Sequence, residues 1–136
     1  MNNTLKLNVL SPERRLVESM LVDFVTLPGS EGQIQILPGH AAMIGTLNTG
    51  VLTYQAHGQE PVYAVVSTGF FEVKSDEITL MAETIELKKE IDLQRAKNAQ
   101  QKAETALLDA ALDEARFRKY QLKLQRALIR QQVASQ

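Results

Sequence analysis

The chain has 136 residues, a formal net charge of −1 and no cysteine. That length holds one ordinary domain or a small domain with an appendage, the charge gives no global pull toward nucleic acid or anionic lipid, and the missing cysteines exclude disulfides, thiol nucleophiles and thiolate metal sites. No apolar run approaches the roughly 18 residues of a membrane span, and Met1 to Leu10 lacks the layout of a signal peptide.

Leu5, Leu7 and Val9 alternate with Lys6 and Asn8, the period of a strand with one buried face. Ser11-Pro12 turns the chain, and Leu16 to Val17 and Leu21 to Leu27 supply the next β-prone runs before Pro28-Gly29. Gln33 to Ile36 alternates again between Gly32 and Pro38-Gly39, and Met43 to Leu47 and Val51 to Tyr54 are short apolar stretches split by Asn48 to Gly50. His57-Gly58 marks a hairpin tip before Val62 to Val66. Phe70 to Val73 then meets a turn at Ser75-Asp76, and Ile78, Leu80 and Ala82 close the series. Short strands with turn signals every eight to twelve residues predict an antiparallel β-sandwich or barrel. In Phe70-Phe71, strand geometry gives one ring to each face.

All seven glycines and all four prolines precede Ile91; from there on the residues are mostly Ala, Leu, Gln, Lys, Glu and Arg, strong helix formers. The composition predicts a β domain over residues 1–84 and a helical one over 85–136. Asp92 is a good N-cap, and Ile91 with Ala96 has the spacing of a weak hydrophobic staple. Ala96, Ala99, Ala103, Ala106 and Ala110 lie along one helical stripe, where small side chains admit a neighbouring helix. A second stripe holds Phe117, Tyr120, Leu124 and Ala127 or Leu128. An unbroken helix from Leu93 to Val133 would be about 60 Å long. A two-helix hairpin suits a small domain better, its turn within Leu107 to Asp113 and its second helix capped by Asp109 or Asp113. No Gly or Pro fixes that turn, so the same residues can also straighten into a longer rod.

No Walker loop and no Gly-x-Gly-x-x-Gly is present. His40 and His57 sit in Pro-Gly-His and His-Gly turns with no second ligand at metal spacing and read as ordinary loop histidines. No acid, base and nucleophile set emerges, so an enzyme is not expected. From Glu114 onward, however, Arg116, Arg118, Lys119, Lys123, Arg126 and Arg130 face a single acid. Such a strip is either a solvated basic face or a surface for an acidic partner or a phosphate. Arg126 and Arg130 share a helix face, and a hairpin can bring them to Arg95; guanidinium forks suit phosphate oxygens.

Four stretches in order resemble the epsilon subunits of bacterial-type F-type ATP synthases across essentially the whole chain: Ser11-Pro12-Glu13-Arg14, Pro28 to His40, Ser67 to Val73, and Ile91 to Ala96. The resemblance implies a sandwich of about ten strands followed by a two-helix hairpin. It also implies a non-catalytic central-stalk subunit that couples rotation in a proton- or sodium-translocating complex. Its partners would be the gamma subunit, the c-ring and the catalytic beta and alpha subunits. Contact with the membrane would come only through the complex, at the cytoplasmic face of the bacterial inner membrane. The loop around Ser30, Glu31, Gln33 and His40 matches the family's foot on the c-ring. In the family the helical domain folds down on the sandwich or extends along gamma and inhibits ATP hydrolysis. The basic strip, Arg116, Arg118, Lys119 and Lys123, is the expected contact with acidic catalytic subunits.

The family's ATP pattern, Ile/Leu-Asp-x-x-Arg-Ala, matches Ile91, Asp92, Arg95 and Ala96. Members that bind ATP add two arginines four apart, here Arg126 and Arg130, and a glutamate after the last strand, here Glu83. Lys102 stands where such members can carry another arginine, and Thr84 to Glu90 is a longer connection. No cofactor is required on this reading; ATP is a possible regulatory ligand. The rival reading is a free-standing ATP-sensing protein. A stalk subunit needs a contiguous apolar patch on a sandwich face, and a lone sensor does not.

Overall fold

The computed structural model describes residues 4–136, so the first three residues of the expected sandwich lie outside the described residues. Ten strands come first: β1 (Leu5–Leu10), β2 (Arg15–Val22), β3 (Phe24–Gly29), β4 (Gly32–Ile36), β5 (Met43–Leu47), β6 (Gly50–Gln55), β7 (Val62–Val66), β8 (Gly69–Lys74), β9 (Glu77–Ala82) and β10 (Ile85–Leu87). A 3₁₀ turn at Lys88–Glu90 leads to α1 (Leu93–Leu107) and α2 (Glu114–Ala134). The strands form one compact unit ending at Leu87, and Lys88 to Gln136 form a second. That places the division three residues later than the expected 84. Ile85, Glu86 and Leu87 pair with Val66, Val65 and Ala64, and Ile85 is buried, so these residues belong to the sheet. Three residues are too short for a periodicity to show.

The sheet runs β10-β7-β6-β3-β5-β8-β9-β1-β2, with β4 paired to β3. Neighbours are antiparallel except β1 and β9, which run parallel with Leu7 opposite Ile78 and Val9 opposite Leu80. This pair departs from the antiparallel expectation because β1 and β9 are distant in sequence, and alternation within a strand carries no information about its neighbour. Alternate residues of the strands point into a single core that contains Leu7, Val25, Leu27, Ile36, Phe71 and Leu80. Each such side chain contributes roughly 1.5–3 kcal/mol relative to exposure. Tyr54 joins them, and burial pushes its phenol above the ordinary value, partly opposed by Arg14.

Two local devices set the loops. Ser75 and Asp76 both have positive φ and close the β8–β9 hairpin in two residues, the geometry that matches strand twist. The Asp76 carboxylate then accepts a hydrogen bond from the Gly39 N–H at 2.8 Å, which fixes the β4–β5 loop to that turn. At Gly69 an added Cβ would collide with the Met81 carbonyl oxygen, so only glycine lets β8 start this close to β9.

Candidate functional site

Helix α1 starts where Asp92, in extended backbone, accepts the Arg95 N–H at 3.1 Å. The turn at residues 108–113 is held by Asp109, which accepts the Ala111 N–H at 2.9 Å, and Asp113, which accepts the Arg116 N–H at 2.8 Å and caps α2. Of the two candidate caps, Asp113 is therefore the one used. The helices pack antiparallel along their alanines: Ala96, Ala103 and Ala127 are buried, Ala99 and Ala106 are partly covered, and Ala110 falls in the exposed turn. Leu128 is exposed where Ala127 is buried, so the second stripe runs through Ala127. The Gln131 Nε2 donates to Gln100 Oε1 at 2.6 Å and sets the register between the helices.

Beside this seam lies a groove of about 400 Å³ floored by alanines and walled by Arg95, Lys102, Lys123, Arg126 and Arg130, with Tyr120 toward the turn. None of the side chains lining it is acidic. The Lys123 ammonium sits 5.5 Å from the centroid of the Tyr120 ring, within cation–π range. Positive charges gathered without acids in the lining favour a polyanion, and arginine forks donate paired hydrogen bonds to phosphate oxygens. The lining offers no carboxylate to hold magnesium and neither carboxylate nor imidazole to activate water.

The sequence-predicted residues divide accordingly. Arg95, Arg126 and Arg130 line the groove together. Within the six-residue pattern, Asp92 caps α1, Ala96 is buried and Ile91 is partly buried. Glu83 is exposed in the sandwich unit, its N–H bonded to the Thr68 carbonyl. Arg116, Arg118 and Lys119 are exposed outside the groove lining; Arg116 and Arg118 pair locally with Asp113 at 3.8 Å and Glu114 at 3.5 Å. Lys123, grouped with them in the sequence, belongs to the groove instead. Helical spacing carried that signal: Lys123 precedes Arg126 by one turn, and Lys102 follows Arg95 by two.

On the sandwich, Ser30 and Glu31 form the β3–β4 turn and Gln33 is the second residue of β4, all exposed. His40 follows Gly39, with its Nδ1 at 2.7 Å from the Ala41 carbonyl. A second feature had only Phe70 to announce it. Leu10, Met81, Phe70 and Thr46 lie opposite one another in turn across β1, β9, β8 and β5, with Ile44 two residues further along β5. Ile44, Phe70 and Met81 are 76%, 51% and 41% exposed, which makes this row an apolar patch on the outer face.

Comparison with known proteins gives matches along the whole chain. The family model for the β-sandwich domain of the ATP synthase delta/epsilon chain matches residues 4–88, and that for its long α-helix domain matches residues 89–135. The ATP synthase epsilon chain of Trichlorobacter lovleyi is 42% identical over 98% of this chain and 96% of its own, and that of Geobacter sulfurreducens is 40% identical over the same shares. Among solved structures, a chain of the Euglena gracilis mitochondrial ATP synthase (OSCP/F1/c-ring) superposes with a TM-score of 0.85 at 20% identity, over 94% of this chain and 79% of that one. A chain of the Tetrahymena thermophila mitochondrial ATP synthase central stalk and c-ring gives 0.68 at 10% identity, over 96% of both.

Proposed function

The chain belongs to the ATP synthase delta/epsilon chain family, and on that premise we propose that it is a non-catalytic, regulatory subunit of the central stalk. The sandwich docks on the gamma subunit through the row of Leu10, Met81, Phe70 and Ile44 and sets its Ser30 to His40 loops on the c-ring. The complex holds it at the cytoplasmic face of the bacterial inner membrane; no helix among the described residues is long and apolar enough to cross a membrane. A free-standing ATP sensor has no use for the exposed apolar row, which favours the stalk reading.

The helical unit is the regulatory part, and the groove is the observation that carries this reading. Extended, α2 presents Arg116, Arg118 and Lys119 to the acidic catalytic subunits and inhibits hydrolysis. Folded, it brings Arg95 on α1 and Arg126 and Arg130 on α2 around one groove. ATP that binds only the folded form draws the population toward it. The gain is RT ln(1 + [L]/Kd), roughly 2.7 kcal/mol at about a hundred times Kd, equivalent to about a hundredfold in the ratio of the two forms. Magnesium is not needed, because the groove supplies the neutralising charge itself. Calorimetry on the isolated chain is expected to show one ATP site that Arg126→Ala and Arg130→Ala each weaken by about tenfold or more. No heat at millimolar ATP would reduce Ile91 to Ala96 to a helix cap and remove nucleotide control from the account.

A further inference from the structure

Counted from the Gln100–Gln131 bond, Arg95 lies roughly 7 Å to one side along the helices and Lys123 about 12 Å to the other, so the cations form a ladder about 20 Å long. On the reading above, Arg95, Arg126 and Arg130 hold the triphosphate. Lys102, one residue from the level of Arg130, lies within the span of the arginines, and Lys123 extends the wall toward the turn beyond Arg126. A ribose and base laid along that extension bring no charge to it. No acid in the lining offsets Lys123, and the alanine floor leaves room for a linear ligand to continue.

We propose that this groove is built for a linear polyphosphate of four or more phosphoryl groups, which it holds more tightly than the triphosphate of ATP. The inference rests on the reading of the groove as a phosphate site and extends it. Arg95, Arg126 and Arg130, with Lys102 among them, grip one part of the chain, and Lys123 grips the phosphoryl groups beyond. Tyr120 stations the Lys123 ammonium over its ring at the turn-side end. The chemistry is shared by an inorganic chain and by a nucleotide carrying four phosphates. Either would displace ATP and hold the hairpin folded, so the helical unit would respond to polyphosphate as well as to nucleotide.

The test is calorimetry on the full chain without magnesium, at fixed ionic strength, with sodium tripolyphosphate, sodium tetrapolyphosphate, ATP and adenosine tetraphosphate. In each pair the four-phosphate compound is expected to bind about tenfold tighter than its three-phosphate counterpart. The variant Lys123→Gln should abolish that difference, costing the four-phosphate compounds about tenfold more affinity than it costs the three-phosphate ones. Lys123 is exposed, so unchanged helical circular dichroism is expected of the variant. Tighter binding by the inorganic chain would identify a polyphosphate-responsive site, and tighter binding by adenosine tetraphosphate a nucleotide-responsive one. If ATP binds and the longer chains bind no tighter, the proposal falls and the ATP site stands. If the inorganic chains bind with the length dependence and ATP does not, the proposal stands and the ATP site falls. Silence from all four removes both.

Discussion

Ala127 is only 2% exposed and lies within one residue of the level of Ala103, itself 2% exposed. Ala127→Leu places three further carbon atoms at a position buried against the facing helix. Overpacking of this kind costs about 1–3 kcal/mol, which lowers the population of the closed hairpin by about 5- to 150-fold. The same exchange at exposed Ala115, outside the buried seam, serves as the control. Amide hydrogen exchange followed by mass spectrometry reads the effect: protection in α1 and α2 should fall in Ala127→Leu and not in Ala115→Leu. The buried strand β3 should keep its protection in both. ATP at about a hundred times its Kd for the variant supplies roughly 2.7 kcal/mol and should restore most of the loss. Unchanged helix protection in Ala127→Leu, or equal loss in β3, would refute the reasoning that the alanine seam closes the hairpin.

On the sandwich, Phe70→Asp removes an exposed apolar anchor and should weaken pull-down of gamma by about thirtyfold or more, with a melting temperature within about 2 °C of wild type; undiminished capture would remove the row from the docking surface. A chain ending at Leu87 should fold and melt cooperatively. One ending at Thr84 forfeits the burial of Ile85, about 2 kcal/mol, and bares the edge of β7, so it should melt lower. Tyr54, raised by burial, gives an alkaline limb: the unfolded phenol ionises near 10.0, the folded one only above that, so stability is intact below pH 10.0 and declines as pH rises through the folded value. Tyr54→Phe should flatten that limb in pH-dependent urea unfolding; an unchanged slope would contradict the assignment.

The strands and the change to helix were legible because glycine, proline and apolar alternation register locally, and Asp92 announced its cap in the same way. The parallel pairing of β1 with β9 was not, since it depends on which distant strands meet. β10 was missed because three residues carry no period. At the site, the convergence of Arg95, Arg126 and Arg130 followed from helical spacing once a hairpin was assumed. The membership of Lys102 and Lys123 required the rotation and register of the two helices, which the Gln100–Gln131 bond and the buried alanines fix only after folding. The apolar row is non-local too: Leu10, Ile44, Phe70 and Met81 come from four strands and read singly as ordinary exposed hydrophobics.

The regulatory role is tested most directly by ATP hydrolysis in the reconstituted complex, assembled with either the full chain or the chain ending at Leu87. Both should join the complex through the sandwich. Hydrolysis is predicted to be faster with the shortened chain, because α1 and α2 are then absent and cannot extend toward the catalytic subunits. Equal rates, with both forms present in the assembled complex, would contradict the claim that residues 88–136 restrain the motor.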